Sequence, residues 1–447
     1  MKRWAGTMLM LASVLYFSPL SSFAADDGWV SLYDGKTLRG WSRVNGEATY
    51  ESRDGAIVGT TRMASPNSFL ATDQKYRDFV LEFDVRQDGG PANSGVQIRS
   101  AIDPKYNEGR VFGYQVDIDP SERDWSGTLY DEQRRGWLYP GPLNPSARGV
   151  YKMGEWNRFR IEAVGATIRT WVNGTPVAHL IDNVSSEGFI ALQIHSIDRS
   201  EEAGRTTAWR NIRIREATSP SEPIGTLFVR NTVPNELSPA ERAQGWRLLW
   251  DARTANGWRS ARGASFPARG WSIREGELVL QAGGEGGHIM TEESFAAFDL
   301  QFEFRLTPGA ESGVFYFMKE RVSEEPLGLE YQLRDDTADS EATVDALGSL
   351  RGLIARGPLM TNVGIAPRTG EWQHARIVVH LDNRAEHWLN GTKVLEYVRG
   401  SRDFRKRVAD REGETESIYF LEDARGHILL EDGGKEVRFR SIKIRAL

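Results

Sequence analysis

Gly188-Phe189-Ile190-Ala191-Leu192-Gln193-Ile194-His195 alternates with period two. Ile190, Leu192 and Ile194 fall on one face of an extended strand, and Phe189, Ala191, Gln193 and His195 on the other. The pattern predicts a strand with one apolar face for a core and a second face that turns polar toward its end. A second copy starts at Gly426: Gly426-His427-Ile428-Leu429-Leu430-Glu431-Asp432-Gly433. There Glu431 replaces Gln193 and Gly433 replaces His195. The chain carries two similar units, and only the first keeps this imidazole.

Working outward, the repeat continues in register. Gly28-Trp29-Val30-Ser31-Leu32-Tyr33-Asp34 and Thr37-Leu38-Arg39-Gly40-Trp41 answer Gly245-Trp246-Arg247-Leu248-Leu249-Trp250-Asp251 and Thr254-Ala255-Asn256-Gly257-Trp258, with identical spacing. Phe79 to Arg86 answers Phe298 to Arg305, Asn93-Ser94-Gly95-Val96 answers Glu311-Ser312-Gly313-Val314, and Tyr114-Gln115 answers Tyr331-Gln332. Trp171-Val172-Asn173-Gly174 answers Trp388-Leu389-Asn390-Gly391, and Asn-Gly between apolar runs signals a tight hairpin. Short alternating strands broken by turns predict an all-β chain with one β-sandwich per unit. The boundaries read as 1–24 for a leader, 27–216 for the first unit, 217–235 for a Pro- and Ser-rich linker, and 236–447 for the second unit. Ser238-Pro239-Ala240-Glu241 predicts the cap and first turn of a short helix. No longer helical periodicity is evident.

The chain has 447 residues, a formal charge of −6, 14 Trp and no Cys. That length holds two full cores. The absence of cysteine excludes disulfides, a thiol nucleophile and thiolate metal sites. Lys2 and Arg3 ahead of the apolar run Met8 to Phe17, then Ser22-Phe23-Ala24, read as a secretory signal cleaved after Ala24. Its removal leaves a charge of −8 on a periplasmic or secreted protein, with no membrane segment and no basic surface for nucleic acid.

The polar sides of the predicted strands carry the candidate chemistry. Glu82, Asp84 and Arg86 oppose Phe83 and Val85; Gln97 and Arg99 oppose Val96 and Ile98. Gln115, Asp117 and Asp119 oppose Val116 and Ile118. The segment Gly127 to Trp137, read as a loop, adds Tyr130, Glu132 and Arg135. The plain alternative is a solvated outer sheet. Against it, these faces carry Gln, Arg, Asp and His, groups suited to sugars and metals. An imidazole near carboxylates serves as a general base or a metal ligand. Asp117 and Asp119, at i and i+2, stand roughly 6.5–7 Å apart along a strand, a spacing that suits a divalent ion or sugar hydroxyls. In the second unit Phe315 and Phe317 replace Gln97 and Arg99, and Arg334 replaces Asp117, while Gln332 and Asp336 persist. That unit reads as a binding or structural copy.

These stretches resemble the 3-keto-disaccharide hydrolase family, also described as the 3-keto-glucoside 1,2-lyase and 3-keto-2-hydroxy-glucal hydratase domain. The resemblance rests on Gly28 to Trp41, Asn93 to Arg99, Gly113 to Asp119, Gly127 to Gly136, Gly188 to His195 and Trp209 to Ile214. It implies two tandem concanavalin A-like jelly-roll sandwiches, and an exported protein acting on oxidised, 3-keto glucosides or disaccharides. A ketone at carbon 3 acidifies the proton on carbon 2, so one base starts elimination of the carbon-1 substituent without a flanking carboxylate pair. His195 is then base or metal ligand, with Asp117, Asp119 and Glu132 as further catalytic candidates. Asp117 and Asp119 join His195 as candidate ligands of a divalent metal, and no nucleotide cofactor is expected. Gln97, Arg99, Gln115, Gln193, Tyr130 and Arg135 would orient the sugar. Lyase, hydratase and hydrolase all remain open. The rivals are a pair of non-catalytic carbohydrate-binding modules and a laminarinase-like glucanase using Glu82-Phe83-Asp84-Val85-Arg86, which ends on Arg where a second Glu belongs.

Overall fold

Asp34 explains the spacing that the two openings share. Its carboxylate accepts from the backbone N–H groups of Lys36 and Thr37 (2.8 and 2.7 Å) and from the Thr37 hydroxyl (2.7 Å). Asp251 makes the same three bonds to Arg253 and Thr254, at 2.9, 2.7 and 2.6 Å. The turn so formed aims the following Trp back at the strand before it. Trp41 Nε1 donates to the Leu32 carbonyl (2.7 Å), and Trp258 Nε1 to that of Leu249 (3.0 Å).

The computed structural model describes residues 28–221, 225–283, 285–319, 328–336, 342–359, 367–412 and 424–447. The leader predicted over 1–24 lies outside these residues. Among the described residues, four sheets form two tandem jelly-roll sandwiches, one of nine and seven strands, the other of eight and five. In the first, the seven-stranded sheet runs Gly136–Tyr139, Leu129–Glu132, Val111–Ile118, Ser94–Ile102, Gly188–Ile194, Ser68–Tyr76, Trp41–Val44. Its apolar side presents Val96, Ile98, Val116, Ile190, Leu192 and Ile194 to Leu81, Phe83, Phe159 and Ile161 of the opposing sheet. The Asn-Gly hairpins form as read: Asn173 and Gly174 take φ of 50° and 80°, Asn390 and Gly391 48° and 80°.

A repeated bulge accounts for the glycine that opens each copy of the decisive strand. Register slips between Ile98 and Ala101, where Arg99 takes φ 47°, and between Phe315 and Met318, where Phe317 takes φ 57°. The displaced backbone presses on the neighbouring strand. A Cβ on Gly188 would lie 2.3 Å from the Arg99 carbonyl carbon, and one on Gly426 would lie 2.2 Å from Phe317 Cα. Only glycine fits there.

Four expectations need correction. Phe79–Asp88 belongs to the nine-stranded sheet, so its polar side is that sheet's outer face: Glu82 pairs with Arg160 and Arg213 (2.9 and 2.8 Å), Asp84 with Arg158 (2.5 Å). The glucanase-like motif is therefore a surface ion-pair network. The segment read as a loop forms two strands, Leu129–Glu132 and Gly136–Tyr139, paired as a hairpin. A longer helix, Arg402–Glu412, does exist; its composition is almost wholly charged, which hides any apolar stripe. Finally, part of the linker is ordered, with Arg230–Asn231 pairing in parallel with Leu180–Ile181. The short helix forms at Pro239–Ala243 with a complete Ser238–Glu241 capping box.

Candidate active site

On the second face of the seven-stranded sheet, register sets Phe69, Gln193, Gly95 and Asp117 side by side, one from each of four adjacent strands. The next row holds Ala71, Ala191, Gln97, Gln115 and Tyr130. This face is closed to solvent: Gln97 and Gln193 are 0 % exposed, Asp117 2 %, Gln115 3 % and Glu132 5 %. The solvated outer sheet is thus excluded here. Hydrogen bonds cross the strands in series. Ser100 Oγ donates to Gln97 Oε1 (2.7 Å), Gln97 Nε2 to Gln115 Oε1 (2.7 Å), and Gln115 Nε2 to Asp117 Oδ1 (3.1 Å). Gly95 makes room for this chain, because a Cβ there would meet Gln115 Cδ at 2.6 Å.

Three atoms in the row are left over. Among the described residues, Gln193 Oε1 and Nε2 and Asp117 Oδ2 are buried without a hydrogen-bond partner. Buried polar groups are rarely orphaned, and an orphaned group marks a role or an absent partner. Burial pushes the Asp117 carboxyl up to about 8, reinforced by nearby Asp119; Arg123 and the Gln115 hydrogen bond oppose the rise. Asp117 is thus a neutral acid near pH 7. Burial also raises Glu132, against the pull of Gln133, Asn67 and His195. Tyr130 is raised by burial and then by Glu132 and Asp117, which sets its phenol among the same groups.

His195 stands half-buried just past the end of the 188–194 strand. Its Nδ1 lies 2.7 Å from the Ser196 carbonyl oxygen. A carbonyl only accepts, so the proton sits on Nδ1 and Nε2 keeps its lone pair. Asn67 ties this end to Glu132: its Oδ1 accepts from Ser196 N (2.9 Å) and its Nδ2 donates to Glu132 Oε1 (3.2 Å). A base with a free Nε2, two carboxyls raised by burial and a phenol can pass protons to and from a bound molecule.

The other predicted residues fall elsewhere. Asp119 closes its own loop, accepting from Ser121 N (3.1 Å) and Arg123 Nε (2.5 Å). The bulge turns Arg99 away from Gln97; its side chain, fully buried, binds the Arg77 and Gly165 carbonyls (2.7 Å each) and Asp78 (2.9 Å). It holds two turns together and cannot reach a sugar on the polar face. Arg135 pairs with Asp131 (2.5 Å) and Asp182 (2.6 Å), outside the row. Nor do the residues fit a divalent ion held by His195, Asp117 and Asp119. Among the described residues no three such groups converge, and the Arg123 guanidinium stands against both aspartates. Sequence reading missed Asn67 and Arg123, whose roles depend on loops that return to the sheet, and Ser100, which the bulge in the Ser94–Ile102 strand brings to Gln97.

The second unit keeps the frame and changes the contents. Ser94 Oγ donates to the Gln193 carbonyl (2.7 Å), and Ser312 Oγ to that of Glu431 (2.9 Å), which confirms the equivalence of the two strands. Where the first unit has amides, the second gathers Glu311, Glu330 and Glu431 around Arg351 at 3.4, 3.3 and 3.5 Å. Phe315 joins Met290, Met318 and Leu429 in an apolar patch.

Residues 28–215 and 245–445 each match the 3-keto-alpha-glucoside-1,2-lyase-like domain. The chain belongs to this family. Over 232 residues it is 25% identical to a 3-keto-disaccharide hydrolase of Bacteroides thetaiotaomicron, covering 46% of this chain and 79% of that protein. Among solved structures it is similar to a Parabacteroides distasonis protein provisionally named a glycosyl hydrolase (24% identity, 48% of this chain, 99% of that one, TM-score 0.42). It is also similar to the carbohydrate-binding module CBM66 from Bacillus subtilis (17%, 40%, 96%, TM-score 0.31). Within this 3-keto-glucoside lyase-like chain, the Gln-x-His strand end is confined to the first domain copy.

Proposed function

We propose that the first unit of this exported protein cleaves 3-keto-glycosides by removing the proton on carbon 2, or hydrates the unsaturated 3-keto sugar so formed by returning a proton to carbon 2 as water adds at carbon 1. The observation that carries the reading is the set of buried atoms that lack a hydrogen-bond partner among the described residues, Gln193 Oε1 and Nε2 with Asp117 Oδ2, beside a histidine whose Nε2 has no hydrogen bond among those residues. A folded chain leaves such atoms unpaired at a cost of about 1–3 kcal/mol each, and a ligand with hydroxyl and carbonyl groups recovers it. His195 Nε2 takes the carbon-2 proton, whose acidity comes from the neighbouring ketone. Asp117, protonated near neutrality, donates a hydrogen bond to the ketone oxygen as negative charge develops there. Gln193 and Gln97 fix the sugar hydroxyls. Glu132, whose hold on its proton is strengthened by burial, delivers a proton to the carbon-1 leaving group. Substrate enters where the cover is thinnest, at half-buried Asn67, Tyr130, His195 and Ser196.

The family and the Bacteroides relative support the substrate class, and the amino-terminal pattern supports export to the periplasm or medium. The test is incubation of the mature protein with matched 3-keto and unoxidised glucosides. Aglycone release from the ketone form alone supports the reading; tight binding of plain glycans without turnover supports a carbohydrate-binding protein instead.

A further inference from the structure

A cavity of about 510 Å³ lies between the two units, apart from the row just described. Its volume falls in the range of small-ligand sites. Five arginines line it: Arg134, Arg135 and Arg230 from one side, Arg368 and Arg440 from the other. Four of them have carboxylate partners. Arg134 pairs with Asp131 (2.7 Å), Arg135 with Asp131 and Asp182 (2.5 and 2.6 Å), Arg440 with Glu303 (2.8 Å), and Arg368 with Glu371 (3.6 Å).

Arg230 is different. Among the described residues its guanidinium has no ion pair, and its Nη1 is buried without a hydrogen bond. Burial lowers its affinity for its proton, and Glu303, Asp182 and Glu241 are felt only at a distance. The parallel pairing of Arg230 with Leu180 fixes the backbone from which this side chain projects. Across the cavity, His374 Nδ1 is also buried and unbonded, while its Nε2 faces Gln301 Oε1 at 3.2 Å. The unpaired Arg230 guanidinium supplies the donor that an oxyanion needs, and His374, whose Nε2 donates to Gln301 Oε1, keeps its Nδ1 lone pair as an acceptor for a sugar hydroxyl. Trp137, Trp372 and the amide of Gln373 complete the lining with the indole and amide surface that sugar rings and hydroxyls prefer.

We propose that the cavity between the units binds an acidic saccharide, a sugar bearing a carboxylate or phosphate whose oxygens accept from Arg230. The inference does not rest on the lyase reading. Trp137 does pack against Tyr130 (ring centroids 5.0 Å apart), so the two sites share one aromatic wall.

The test titrates the mature protein with glucuronate, glucose 6-phosphate, glucose and inorganic phosphate by calorimetry, for the wild type, Arg230→Met and Arg368→Gln. At least one acidic sugar binds tenfold or more tightly than both glucose and inorganic phosphate. Arg230→Met abolishes that preference yet raises the Tm of the ligand-free protein, because it removes a half-buried guanidinium that has no ion pair among the described residues. Arg368→Gln weakens binding severalfold with Tm unchanged. Glucose binding as tightly as the acidic sugars, or phosphate alone matching them, overturns the proposal. So does retained affinity in Arg230→Met, or a fall in its Tm, since a fall means that Arg230 has a partner in the folded chain.

Discussion

Arg123 stands nearer to Asp119 than to Asp117: its Nε is 2.5 Å from Asp119 Oδ2, while its Nη2 is 3.6 Å from Asp117 Oδ2. Asp117 is therefore only partly neutralised, and burial dominates its chemistry. This asymmetry turns two aspartates of similar sequence context into a loop anchor and a buried acid.

Arg123→Gln removes the main cation that opposes protonation of Asp117. If protonated Asp117 supports turnover, the alkaline limb of kcat/KM, near pH 8 in the wild type, moves upward by half a unit or more. A pH–rate profile reads this directly. An unchanged or lowered limb removes Asp117 from the acid role.

The same carboxyl couples stability to pH. Folded Asp117 holds its proton up to about 8, whereas the unfolded chain releases it near the ordinary carboxyl value of 3.8. The stabilisation from that proton is fully present below the unfolded value and is lost as pH rises through the folded one. Relative to Asp117→Asn, the wild type loses on the order of 1 kcal/mol per pH unit between those limits. Denaturant melts of both proteins at several pH values check the difference.

Gln193→Leu replaces a buried amide that has no hydrogen-bond partner among the described residues with an apolar side chain of similar size. The expected outcome is a gain of about 1–3 kcal/mol in stability together with a loss of turnover of at least tenfold. A destabilised variant means that Gln193 has a bonding partner in the free protein.

Gly188→Ala drives a methyl against the Arg99 and Ser100 backbone, at 2.3 and 2.4 Å, and costs about 2–4 kcal/mol in the first unit. Gly263→Ala, whose nearest neighbour would be 3.7 Å away, changes stability by less than about 0.5 kcal/mol. Thermal melts of the two variants give the comparison.

Much of this architecture is legible in the sequence, and the exceptions share a cause. Alternation at Ile190, Leu192 and Ile194 names the core face because a strand admits only two faces. It does not say which sheet a strand joins, so alternation alone groups Glu82 and Asp84 with Gln97 and Asp117 although they lie on opposite sides of the sandwich. Strict alternation also fails at a bulge, which is why Arg99 was read onto the polar face. Asn67 and Arg123 carry no periodic signal at all. Their roles follow from tertiary contacts between segments far apart in the chain or from a loop's return, which local pattern does not encode.

The most direct measurement is aglycone release from a 3-keto-glucoside and its unoxidised parent by the wild type, His195→Ala and Asp336→Ala. The wild type and Asp336→Ala turn over the ketone form alone, and His195→Ala, folded by circular dichroism, does not. Undiminished turnover by His195→Ala, or equal cleavage of both glucosides by the wild type, contradicts proton abstraction by that imidazole.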